Sequence, residues 1–136
     1  MLKTIKLILV LIFSLFSSDF NNKKSKKAPM SIYDISIKNI EGSEISLSDY
    51  KGKYMLFVNV ASNCGFTRQY KDLQKLFDEN SEKLVVIGVP CNQFGAQEPG
   101  DEDQISIFCS EKYNVTFPMT EKTYVRGSNQ HPLYKW

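Results

Sequence analysis

The sequence is poor in the residues that staple small folds together. It has three cysteines, Cys64, Cys91 and Cys109, in 136 residues. An odd number with no close pair excludes a dense disulfide framework and leaves at least one thiol over. No C-x-x-C pair occurs and His131 is the single histidine, so the ligand set of a structural zinc site is missing. Seven glycines and five prolines are too few for collagen-like or low-complexity chain. The apolar stretch from Leu7 to Phe16 falls well short of the ~20 residues that span a bilayer as a helix. Nor does one sign of charge dominate. The net charge of +2 divides into +1 over residues 1–20, +4 over 21–29 and −3 over 30–136. A mildly acidic domain offers no electrostatic footprint for nucleic acid.

What is present starts with a leader. Lys3 and Lys6 precede the apolar stretch, and the small polar Ser17 and Ser18 follow it, which is the layout of a secretory signal peptide. Residues 1–18 are assigned to that signal peptide and 19–29, with Lys23, Lys24, Lys26 and Lys27, to a polar basic linker. Residues 30–136 form the globular domain. Export to the periplasm or the cell exterior is expected; the alternative is an uncleaved leader that tethers the domain to a membrane. With 42% hydrophobic and 24% charged residues, the chain has the composition of one core.

The domain reads as α/β. Ser31 to Ile37 alternates polar and apolar residues, and the turn 41–44 leads to Ile45 and Leu47, a small hairpin. Residues 54–60 and 84–89 are nearly unbroken runs of strand formers, as expected of strands buried on both faces. Between them Tyr70, Leu73, Leu76 and Phe77 recur at helical spacing and predict a helix over 67–80. Strand, helix, strand makes a right-handed βαβ unit with parallel strands. Acidic residues at the start of 101–113 suit a helix N-terminus, with Ile105, Phe108 and Cys109 on one side. A turn at 126–129 precedes a short helix beginning near His131.

Cys64 falls just past the first buried strand and just before the helix. There the backbone N–H groups and the positive end of the helix dipole favour a thiolate, the nucleophilic form. Thr67, three residues on, can offer a hydroxyl to the sulfur. The bland alternative is a buried structural cysteine, set against a flanking loop that is polar. Gln93 follows the second strand, so both residues emerge at the carboxyl edge of the sheet, where ligand sites of open parallel sheets lie. A neutral amide there can donate to a thiolate or a developing oxyanion; read alone, it is equally a solvated turn residue. Cys91, at the strand end, is expected to be buried and inert.

Asn59 to Thr67 resembles the peroxidatic-cysteine motif of glutathione peroxidases, and Pro90 to Gly95 resembles their second signature, with Phe117-Pro118 in the matching place. The resemblance covers roughly residues 31–136. It implies a thioredoxin-like fold, a central mixed sheet flanked by helices, and reduction of hydrogen peroxide or organic and lipid hydroperoxides by Cys64 through a sulfenic acid. It assigns catalytic roles to Cys64, Gln93 and Cys109, the last as the resolving cysteine, although its helix face leaves open that it is packed away. It implies no metal or organic cofactor, a thioredoxin-like protein or glutathione as reductant, and a monomer. The family's C-terminal Trp-Asn-Phe motif, with a final strand and helix, is expected to be missing here, because Trp136 sits in a segment like the one that precedes it. A disulfide reductase of the same fold would need a second cysteine where Thr67 stands. The remaining alternative is a non-catalytic thiol redox sensor or an inactive truncated paralogue.

Overall fold

The computed structural model describes residues 31–136; the signal peptide and linker read from the sequence lie outside them. Strand β1 (Ile37–Lys38) pairs antiparallel with β2 (Glu44–Ile45), the hairpin expected from the alternating segment. It is shorter than that pattern suggested. Residues Ile32–Asp34 form a 3-10 turn, because Ser31 and Asp34 make a capping box: Tyr33 N–H donates to Ser31 Oγ at 3.3 Å and Ser31 N–H to Asp34 Oδ2 at 3.1 Å.

Strands β3 (Tyr54–Val60) and β4 (Leu84–Pro90) run parallel in unbroken register, from Tyr54 opposite Leu84 to Val60 opposite Pro90. The other edge of β4 bonds the segment after Phe117. Gly88 N–H donates to Pro118 O at 2.9 Å and Thr120 N–H to Gly88 O at 2.8 Å. That segment in turn meets the hairpin antiparallel, through Asn39 and Thr120. The layer therefore runs β3, β4, 118–121, β1, β2, a mixed sheet with β4 at its centre. The two apolar runs differ accordingly. Every β4 residue from Val85 to Pro90 is buried, whereas Tyr54 is 80% exposed and Leu56 and Asn59 are also exposed. The expectation that β3 is buried on both faces is corrected: β3 is an edge strand among the described residues, and only β4 has neighbours on both sides.

The predicted helix over 67–80 starts as a 3-10 turn (Thr67–Gln69) and continues as α1 (Tyr70–Asn80). Tyr70 is buried and Leu73 and Phe77 half-buried, while Leu76 lies outside the apolar stripe. Helix α2 (Glu102–Tyr113) is capped by Asp101, whose carboxylate accepts from Gln104 N–H at 2.9 Å, and ends on Asn114 in the left-handed conformation. Helix α3 (Pro132–Lys135) takes His131 as its cap. One face of β4 packs Val86 with Tyr70, Ile105, Cys109, Phe117 and Met119 beneath α1 and α2. The other packs Val85 and Ile87 with Ile35, Ile37, Ile45, Leu47 and Leu133. Burying apolar groups on both faces of one strand supplies ~1.5–3 kcal/mol for each large side chain, which fixes β4 as the axis of the fold.

Candidate active site

The carboxyl ends of β3 and β4 feed two adjoining loops. Asn63 N–H donates to Gln97 O at 3.0 Å and Cys91 N–H to Val60 O at 3.2 Å, so the loops are bound side by side. Cys64 stands in the first, half-exposed, and lines a cavity of about 60 Å³ with Asn59, Val60, Phe66, Thr67 and Tyr70 among its walls. The N–H of Phe66 points at Cys64 Sγ from 3.4 Å, which is the backbone donor expected at a helix start. Thr67 acts differently from the sequence expectation. Its hydroxyl accepts from Cys64 N–H at 2.9 Å and faces the carbonyls of Ala61 and Cys64, each at 2.8 Å. The hydroxyl is buried beneath the loop, so it fixes the path of the backbone and makes no hydrogen bond to the sulfur. Phe66 projects outward, 66% exposed.

Gln93 sits in the second loop, as anticipated, but its bonds run away from Cys64. Oε1 accepts from Val125 N–H at 2.8 Å and Arg126 N–H at 3.1 Å, and Nε2 donates to Arg126 O at 2.9 Å. The guanidinium of Arg126 returns a bond to Gln93 O and lies over the Phe94 ring, 4.5 Å from its centroid. Gln93 thus clamps the 125–126 turn, because that turn presents the donors and acceptor which a carboxamide matches; among the described residues none of its hydrogen bonds reaches Cys64. Cys91 is buried, as expected, and takes the Gln93 N–H on its sulfur at 3.4 Å.

Cys109 is 2% exposed, on the inner face of α2. Burial pushes its thiol up; the Tyr70 hydroxyl that faces it pulls the other way, and charge on Glu98 adds to the rise. All three cysteines are free thiols.

Sequence reasoning passed over the most unusual group near these thiols. Glu98 is 0% exposed, and neither of its carboxylate oxygens has a well-formed hydrogen bond among the described residues. Burial raises its pKa; the hydroxyl and N–H of Ser62, close by, and Lys122 oppose that rise. The Glu98 backbone is nonetheless held firmly, by Asn92 Oδ1 accepting from its N–H at 2.8 Å. A glutamate in a polar loop carries no local signal of burial. Among the described residues no group of three or more His, Cys, Asp or Glu side chains is placed to hold a metal.

Helices on both sides of a mixed sheet, with a half-exposed thiol between a parallel strand and the helix that follows, define a thioredoxin-like domain with its cysteine at the head of α1. The sequence profile described as "Glutathione peroxidase" matches residues 32–136, and the chain belongs to the glutathione peroxidase family. It is 48% identical over 111 residues to the hydroperoxy fatty acid reductase of Synechocystis sp., covering 81% of this chain and 66% of that protein. It is also 48% identical over 107 residues to the glutathione peroxidase-like peroxiredoxin 2 of Saccharomyces cerevisiae, covering 78% of this chain and 66% of that one. The crystal structure of Trgpx in its apo form is similar with a TM-score of 0.58 at 40% identity, over 79% of this chain and 63% of that one. The chain thus spans about two thirds of the length of the relatives it matches.

Proposed function

We propose that the protein is a thiol peroxidase in which Cys64 reduces hydrogen peroxide and organic or lipid hydroperoxides. The observation that carries this reading is the setting of Cys64: a half-exposed thiol with a backbone N–H on its sulfur, at the mouth of a small cavity where a helix begins. The names of the relatives, a hydroperoxy fatty acid reductase and a glutathione peroxidase-like peroxiredoxin, support the substrate class. In the first step the Cys64 thiolate attacks one peroxide oxygen and the O–O bond breaks. Sulfenic acid forms at Cys64 and an alcohol or water leaves. Cys109 then condenses with the sulfenic acid to give a disulfide and water, and a thioredoxin-like dithiol or glutathione restores the thiols. Because Cys109 is buried on α2, this second step needs α2 to open locally: a disulfide requires Cα atoms about 4.4–6.8 Å apart.

The protein works as a monomer in this reading, and the leader-like residues 1–18 support its delivery outside the cytoplasm. A second reading, a thiol redox sensor that passes a disulfide to a partner without efficient turnover, is favoured by the engagement of Gln93 with the 125–126 turn. Hydroperoxide consumption by the full chain, with thioredoxin and its reductase or with glutathione, separates the two. Steady turnover that Cys64→Ser abolishes and Cys109→Ser reduces to a single event with thioredoxin is expected. A single event in the unaltered protein, with transfer of the disulfide to another protein, would favour the sensor. Normal turnover of Cys109→Ser with thioredoxin would remove Cys109 from the cycle.

A further inference from the structure

Cys109 reaches a Cys64 sulfenic acid only when α2 opens, so whatever holds α2 shut governs that step. The first turn of the helix is capped locally by Asp101 and Gln104. Its last turn is closed by backbone bonds. Asn114 N–H donates to Ser110 O at 3.0 Å, and Val115 N–H donates to Cys109 O at 3.1 Å. Cys109 is therefore tied directly to the strap 114–116 that follows the helix.

A side chain of the other helix holds that strap. Gln74 of α1 donates from Nε2 to Thr116 Oγ1 at 2.8 Å, and its Oε1 accepts from Thr116 N–H at 2.8 Å. Nε2 also donates to Asp78 Oδ1 at 2.8 Å, on the next turn of α1, which fixes the carboxamide in this orientation. The two bonds to Thr116 span 42 residues and join the helix headed by Cys64 to the segment behind Cys109. Thr116 is exposed, so water satisfies its polar groups as readily and burial does not demand the pairing. Past Thr116 the chain is anchored independently, by the buried Phe117 and by Gly88 N–H on Pro118 O at 2.9 Å. Loss of the clamp thus frees 114–116 without loosening the sheet. An open cleft of about 490 Å³, with Gln74, Lys75, Asp78, Lys112, Tyr113 and Asn114 in its walls, gives the last turn of α2 room to move against α1. On the inner side Tyr70, packed with Ile105 and Cys109, carries a buried hydroxyl without a partner among the described residues. Opening α2 to water relieves that desolvation cost.

We propose that Gln74 is a latch on α2: its carboxamide holds the strap 114–116 so that Cys109 stays sealed while Cys64 meets the hydroperoxide, and its release lets the last turns of α2 unwind and carry Cys109 to the sulfenic acid. The inference rests on the resolving role proposed for Cys109. In the step that follows release, the S–O bond of the Cys64 sulfenic acid breaks and an S–S bond forms. The proton of the Cys109 thiol leaves with the departing hydroxide as water. The sulfenic sulfur is reduced and the thiol sulfur oxidised, so no outside oxidant or reductant takes part. Gln74 touches neither sulfur. It is a positioning residue that acts through Thr116 and Val115, and it sets how often Cys109 is presented.

The test uses the full chain and one equivalent of hydrogen peroxide, with Cys64 oxidation and Cys64–Cys109 disulfide formation followed separately by rapid quenching and mass spectrometry. Amide exchange is measured on the reduced protein. Gln74→Ala is expected to speed disulfide formation about tenfold, the effect of two lost neutral hydrogen bonds, and to leave Cys64 oxidation unchanged. Thr116→Val, which removes the hydroxyl and keeps the N–H, is expected to speed it about threefold. In both variants amide protection falls over 112–116 and holds in β4, the signature of local opening. A residue that merely stabilised the fold would slow the step or leave it unchanged when lost. Disulfide formation that is unchanged or slower in both variants, or protection that falls equally in β4, would overturn the latch. Failure of the unaltered protein to form the disulfide after Cys64 is oxidised would remove the resolving role and the latch with it. That outcome is read from the unaltered protein alone, so it is distinct from a failure of the latch.

Discussion

Cys64 and Cys109 are the same side chain in opposite surroundings. One stands half-exposed with a backbone N–H on its sulfur; the other is sealed on the inner face of α2 with its thiol pushed up by burial. In the proposed cycle a hydroperoxide meets the first, and the second has to be brought to it. Glu98 shows how burial at this scale becomes a stability effect. Its folded pKa lies above the ordinary carboxyl value of 4.5. Below that value both folded and unfolded chains hold the proton and nothing is lost. As pH rises through 4.5 the unfolded chain ionises first, so stability declines until the folded pKa is passed. Glu98→Gln removes the titration. Its urea midpoint is expected to gain on that of the unaltered protein as pH climbs above 4.5; a gap that does not vary with pH would show that Glu98 titrates normally. The place of Cys64 was legible in the sequence because a polar loop between an apolar run and a helix is a local pattern. The partners of the Gln93 carboxamide lie 32 and 33 residues along the chain and no local pattern announces them. Nor does any pattern announce the burial of Glu98, which is a consequence of how α2 and the two loops close around it.

At the scale of elements, the βαβ unit follows from two apolar runs with a helical stripe between them, and the second helix from the acidic residues of its first turn together with Ile105, Phe108 and Cys109, all of them local signals. Two features did not. Periodicity assigns 31–37 to a strand, whereas the Ser31–Asp34 capping box winds its first half into a turn. It also cannot tell a central strand from an edge strand, a difference set by which neighbours arrive, hence the unequal burial of β3 and β4. Helix α3 has a cap that depends on pH. His131 Nδ1 accepts from Leu133 N–H at 3.1 Å, which requires the neutral ring. Burial lowers the imidazole pKa, opposed by Glu121 and a bond with the Ser36 backbone. The folded chain therefore binds the proton less readily than the unfolded one. The cap's contribution is present above the ordinary value of 6.5 and lost as pH falls below it. Protection of the Leu133 and Tyr134 amides, taken relative to the intrinsic exchange rate at each pH, is expected to fall below pH 6.5 and not to do so in His131→Asn, which keeps an acceptor without titrating. Equal loss of protection in both proteins would contradict this account of the cap.

At the scale of the molecule, the sheet is continuous only because the 118–121 segment bridges β4 and the N-terminal hairpin. That junction leaves no room at Gly88: a Cβ there would stand 2.3 Å from Met119 Sδ and 3.2 Å from a Phe117 ring carbon. Gly88→Val is expected to destabilise the fold by about 1–3 kcal/mol in urea unfolding, as overpacking of a core does. A neutral result would mean that Met119 and Phe117 yield freely. The same continuity carries both cysteine-bearing segments on one scaffold, since β3 delivers Cys64 and α2 packs Cys109 against β4 through Val86 and Ile105. The central claim is that this scaffold makes Cys64 a peroxidatic thiol, and the most direct measurement is its rate of oxidation by hydrogen peroxide and by a fatty acid hydroperoxide. The account predicts oxidation of Cys64 far faster than that of free cysteine at the same pH, with Cys91 left reduced. Oxidation no faster than that of the free amino acid would contradict it.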